Sequence, residues 1–222
     1  MTHRASVAGA AVLLMAVAGC TDPAAVTSNT NPYANTRDGA IIGGVLGAAT
    51  GLIAGGGENQ ARNAAVGAAL GAATGAAVGN RLDRQAAALR AEVGNGNIEI
   101  VNDGSKLVVT LPQDILFPVD GAELQPAIIP DLQAVARNLN QYPDGIVQVV
   151  GHTDNTGAAG YNFDLSQRRA QSVTDVLTAS GVPATRLQTI GRGDDQPRAS
   201  NLSPEGRALN RRTEIVIIPS ST

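Results

Sequence analysis

Residues 151–170 read GHTDNTGAAGYNFDLSQRRA. Just before them, Ile146–Val150 places four β-branched residues around Gln148, which predicts a strand. Phe163–Ala179 carries apolar side chains at helical spacing. The stretch is therefore a joint: a strand, a glycine-bounded loop Gly151–Gly157, and a helix. Loops that leave the C-terminal end of a strand are where open sheets hold ligands, and this loop carries a carboxylate, Asp154.

The helix decides what meets Asp154. On a wheel of about 100° per residue with Leu165 at zero, Val176, Val173, Leu177 and Ala170 fall between ~20° and ~140°, the stripe that faces the core. Arg169 falls at about 40°, inside that stripe, and Arg168 at about 300°, in solvent. Asn162 and Ser166 also fall inside it. An inward-pointing arginine needs a partner, because an unpaired internal charge is costly, and Asp154 is the nearest anion by chain geometry. A carboxylate and a guanidinium beside a helix N-terminus suit a zwitterion: Asp154 for an ammonium, Arg169 and helix N–H groups for a carboxylate. A purely structural Asp–Arg bridge is the alternative.

Outward from this joint, residues 97–219 read as one α+β domain. Asn97–Val101 and Lys106–Leu111 are strands around an Asn102–Ser105 turn. Ile128–Leu139 is a helix with its prolines confined to the start. Leu187–Gly191 is a short strand, Ser203 caps a short helix, and Thr213–Ile218 is the last strand. The arrangement predicts a small α/β sandwich with helices packed on one face of a mixed sheet.

Gly151–Asp154, Asn162–Ala170, Gly191-Arg192-Gly193 and Asn210-Arg211-Arg212 occur in an order and at intervals that resemble the OmpA-like peptidoglycan-binding domain. The resemblance covers the last 120 or so residues. It implies a ligand, the diaminopimelate-containing peptide stem of peptidoglycan. It also implies site residues. Asp154 and Arg169 are the principal ligands, and Asn162 assists near the helix start. Asp120 borders the cleft, and Arg211 or Arg212 closes the rim, the other serving as an internal salt-bridge partner. His152 is read as shaping its loop by local hydrogen bonds.

The chain begins MTHRASVAGAAVLLMAVAGC. One arginine, a short apolar run and Val17-Ala18-Gly19-Cys20 resemble a bacterial lipoprotein signal peptide, residues 1–19, with Cys20 as the acylated residue. By the same resemblance, Thr21 favours the outer membrane, with the C-terminal domain in the periplasm. Residues 20–38 are the lipidated Cys and a polar tether. In residues 39–96, glycines recur at 39, 43, 47, 51 and 55, then at 67, 71, 75 and 79. That period puts them on one stripe where two helix backbones can approach. It predicts a helical hairpin turning at Glu58–Arg62, followed by a charged helix that stops at Gly94 and Gly96. The pattern resembles the glycine-zipper segments of envelope lipoproteins. Membrane insertion and a homo-oligomer both remain open for it. Residues 220–222 are a tail.

Composition narrows the function. The net charge is −3, against a general nucleic-acid binder. One Cys and two His cannot make a four-ligand zinc site, so neither metal nor cofactor is expected. His152 and Asp154 lack a nucleophile in triad order, and no Gly-x-Ser-x-Gly occurs, so the chain reads as no enzyme. The expected function is a tether between outer membrane and cell wall. The competing one is a structural or assembly protein whose glycine hairpin oligomerises or inserts, its C-terminal domain serving only for localisation.

Overall fold

A computed structural model describes residues 60–220. The expected signal peptide, Cys20, the expected tether, the first glycine run and the last two residues lie outside these. The chain enters through a 33-residue helix α1 (Gln60–Glu92), which starts within the polar stretch assigned to the hairpin turn. Among the described residues no helix is long and apolar enough to cross a membrane.

Strands β1 (Glu99–Asn102) and β2 (Leu107–Pro112) form an antiparallel hairpin. Its turn uses the polar residues read from sequence: Asp103 Oδ1 accepts from the backbone N–H groups of Ser105 and Lys106, and Gly104 sits at φ 86°. Short helix α2 (Gln113–Leu116) follows, then a 3₁₀ turn (Pro126–Ile128) into α3 (Ile129–Gln141). Next come β3 (Ile146–His152), α4 (Ala159–Ala179), a second 3₁₀ turn (Ala184–Arg186) and β4 (Leu187–Gly191). Helix α5 (Pro204–Asn210), capped by the Ser203 hydroxyl accepting from Gly206 N–H, leads into β5 (Arg212–Ile218).

The sheet order is β1-β2-β5-β3-β4, antiparallel except for the β3–β4 pair. The last strand thus threads between β2 and β3. Register aligns Leu107, Ile217 and Val147 in one row and Val109, Ile215 and Val149 in the next. Residues in register share a face, and all six are buried. Leu132, Val135 and Leu139 of α3 and Ala170, Val173 and Leu177 of α4 close over them. The opposite face is more polar, with Gln148 and Gln188 hydrogen-bonded across β3 and β4.

Helix α1 also belongs to this core. Leu82, Ala86 and Leu89 are essentially inaccessible, and Gln85 Nε2 donates to Asn138 Oδ1 of α3, whose Nδ2 donates back to the Gln85 backbone carbonyl. Residues 97–219 therefore do not hold the whole core. The charged helix is amphipathic, and its apolar side packs on α3 and β1 rather than linking two bodies.

Candidate functional site

Register places the site. Pro112, Arg212 and His152 lie side by side across β2, β5 and β3. Gln113, Arg211 and Thr153-Asp154 adjoin them, so all emerge at one end of three adjacent strands. A cavity of about 270 Å³ opens there. Asp120, Asp154, Asn162, Arg169 and Arg211 all line it.

The Asp154 loop is fixed from its backbone. Thr153 N–H donates to Gly193 O at 2.8 Å. Asp154 Oδ1 accepts from Thr156 N–H at 2.8 Å, and Asn162 Nδ2 donates to Asp154 O at 3.2 Å. Asn162 is thus a positioning residue for the acid. Burial by itself would raise the Asp154 pKa. Hydrogen bonds from Arg211 and Thr156 outweigh it and hold the carboxyl below its ordinary value.

Arg169 is 3% exposed, while Arg168 is exposed, as the wheel places them. The expected Asp154–Arg169 pair does not form. Arg169 Nε donates to Gly121 O at 2.8 Å and Nη1 to Gln113 Oε1 at 2.7 Å. Its Cζ stands 5.4 Å over the Phe117 ring. Burial lowers its pKa, against the nearby Asp120 charge, yet a guanidinium stays protonated. The turn that presents Gly121 is closed by Gly121 N–H to Pro118 O, with Asp120 at φ 55°. This left-handed backbone is tolerated by aspartate better than by most residues.

Asp154 pairs instead with Arg211, whose Nη1 lies 2.9 Å from Oδ2. Arg212 does not line the cavity. It is 5% exposed, and its guanidinium goes to Glu214 Oε1, Asn210 O and Gln196 O. His152 makes no hydrogen bond from either ring nitrogen, contrary to its expected role in shaping the loop. Burial first, then the Arg212 charge, lower its pKa from 6.5 to about 4. It is neutral near pH 7, and its 4.0 Å approach to Glu214 is not an ion pair there. Ser166, on the inward stripe of α4, donates to Phe163 O and accepts from Gly193 N–H.

Sequence reasoning did not find Gln113, Asp114, Thr153 or Tyr161, which also line the cavity. Thr153 Oγ1 is buried without a partner. Its position beside Asp154 was the only available signal. The arrangement offers a fixed cation held by neutral acceptors, a carboxylate opposite, and the N-terminus of α4, which no side chain caps. It fits an anion and a cation carried on one small molecule. Among the described residues no group of three or more His, Cys, Asp and Glu is placed to hold a metal.

Residues 116–211 match the OmpA family model, and residues 1–83 match that of the YMGG-like Gly-zipper. The chain is 39% identical over 138 residues to the probable lipoprotein YiaD of Escherichia coli (strain K12), covering 62% of this chain and 63% of that protein. It is 50% identical over 103 residues to the peptidoglycan-binding protein ArfA of Mycobacterium tuberculosis, covering 46% of this chain and 32% of that one. It thus spans less than two thirds of either relative's length. Among solved structures, the cell wall anchor of the T6SS from Pseudomonas aeruginosa aligns with TM-score 0.53 at 37% identity, over 63% of this chain and 98% of that one. A putative MotB-like protein from Desulfovibrio vulgaris aligns with TM-score 0.61 at 23% identity, over 67% of this chain and 98% of that one, a likeness of fold.

Proposed function

Residues 116–211 belong to the OmpA family, behind a YMGG-like Gly-zipper segment, and on that premise we propose that the protein binds peptidoglycan without catalysis and tethers the outer membrane to the cell wall. The lipid anchor is Cys20, and the binding domain lies in the periplasm. The ligand is the free amino-acid end of diaminopimelate in the peptide stem. Its carboxylate goes to Arg169 and its ammonium to Asp154. Asn162 holds the Asp154 loop, and Asp120 and Arg211 border the cleft.

The observation that carries this reading is Arg169. A buried guanidinium lines an open cavity, yet both of its hydrogen bonds go to neutral acceptors. Such a cation favours an anionic ligand in a low-dielectric wall. The names of ArfA and of the T6SS anchor support a cell-wall ligand.

The test is co-sedimentation of the full chain in detergent with purified sacculi, with and without free meso-diaminopimelate. The chain should pellet, and the free amino acid should release it. Pelleting that excess diaminopimelate leaves unchanged would refute the assigned ligand. No pelleting at all would refute the wall-binding function.

A further inference from the structure

We infer that Arg211 is an internal stand-in for the ligand's ammonium: it holds Asp154 while the site is empty and yields that carboxylate when a zwitterionic headgroup enters. This rests on the diaminopimelate reading above and adds a residue that sets its specificity.

Both oxygens of Asp154 are engaged in the free protein. Oδ1 accepts from Thr156 N–H, and Oδ2 accepts from Arg211 Nη1 at 2.9 Å. The Asp154 side chain is 11% exposed. Two cations crowded on one largely buried carboxylate repel each other, so an arriving ammonium displaces the guanidinium.

The structure gives Arg211 somewhere to go. Its Nη2 lies 3.9 Å from Asp114 Oδ1, on a carboxylate whose side chain is 75% exposed. A modest rotation exchanges Asp154 for Asp114 and leaves no charge unpaired. Arg169 has no such freedom, being pinned by Gly121 O and Gln113 Oε1 over the Phe117 ring. The cleft thus contains one fixed cation, which receives a carboxylate, and one movable cation, which guards an acid. A ligand lacking an ammonium has nothing with which to displace the guard.

The test is isothermal titration of the full chain in detergent with meso-diaminopimelate and, separately, with pimelate, which keeps both carboxylates and lacks both amines. Arg211→Ala and Arg211→Gln should bind diaminopimelate about three- to tenfold more tightly than wild type, the range expected when a partly exposed ion pair no longer competes. Pimelate binding should not tighten, and Arg211→Lys, which keeps a competing cation, should return the diaminopimelate affinity toward wild type. If Arg211→Ala fails to fold, Arg211→Gln, which can still donate to Asp154, carries the comparison. Weaker diaminopimelate binding in these variants would make Arg211 a direct ligand contact and overturn the inference, as would unchanged affinity. If neither wild type nor any Arg211 variant binds diaminopimelate, the ligand assignment itself falls, and this inference with it.

Discussion

Arg168 and Arg169 are neighbours in sequence with opposite environments, and binding should separate them. Arg169→Ala and Asp154→Ala should each weaken sacculus binding ~30-fold or more, since each strips a largely buried charge from the ligand. Arg168→Ala should pellet like wild type. Equal losses at the two arginines would sink the assignment of Arg169 to the cleft. Both Asp154 and Arg169 were legible, because strand-end position and helical period are local properties. Their true partners were not. Arg211 meets Asp154, and Gln113 meets Arg169, only because β5 inserts between β2 and β3, a long-range register that no local pattern encodes. His152 adds a pH dependence. Its pKa falls from 6.5 to about 4 on folding, so between those values the unfolded chain binds the extra proton and stability drops as pH falls. The loss stops once folded His152 also titrates. Urea midpoints should therefore fall from about pH 7 to about pH 5, and fall less in His152→Gln, before most carboxylates titrate. Parallel profiles for the two proteins would contradict this.

At the scale of elements, the cleft depends on how closely α4 lies on the ends of β3 and β4. Gly151 and Gly191 make that approach. A Cβ on Gly151 would collide with the carbonyl of Ser166, and one on Gly191 would come within 2.7 Å of the Gln167 backbone nitrogen. Backbone cannot step aside as a flexible side chain can, so Gly151→Ala should cost about 1–3 kcal/mol through overpacking. It should also weaken diaminopimelate binding, because displacing α4 displaces Arg169. Gly160, in the first turn of the same helix, meets nothing within 4 Å. Gly160→Ala should instead add about 0.4–1 kcal/mol by restricting the unfolded chain. Opposite signs in thermal melting are the expected result, and a neutral Gly151→Ala would mean that α4 is free to shift. The strand-and-helix order was readable from periodicity, and every sequence-read element of the domain appears within a few residues of its expected bounds. The close approach was not readable, because a glycine in a strand end looks the same whether it faces solvent or a helix.

For the whole molecule, the question is where the OmpA-like unit begins. A shift in composition at Gly94 and Gly96 suggested residue 97, yet α1 runs unbroken from Gln60 to Glu92 and contributes Leu82, Ala86 and Leu89 to the core. Its polar residues are tied down as well. Arg90 donates to Ile100 O and Arg81 pairs with Asp144, and just past the helix end Gly94 N–H donates to Asp131. The spacing of those three apolar residues was visible. What hid their role was the surrounding charge, which reads as a solvated helix until α3 and β1 are known to lie against it. The same helix carries Gly67, Gly71, Gly75 and Gly79 in its N-terminal part, so the glycine stripe and the domain core share one element. Two deletions then separate what the stripe does from what the core needs. Removing residues 39–74, which takes all of the stripe but Gly75 and Gly79, should leave melting temperature and diaminopimelate binding near wild type while weakening any association that runs through the glycines. Removing residues 39–96 should lower the melting temperature sharply, because three fully buried side chains go with it; Leu89→Ala alone should cost about 2–5 kcal/mol. Equal melting temperatures for the two deletions would mean that α1 rests on the domain without stabilising it, and the boundary would return to residue 97.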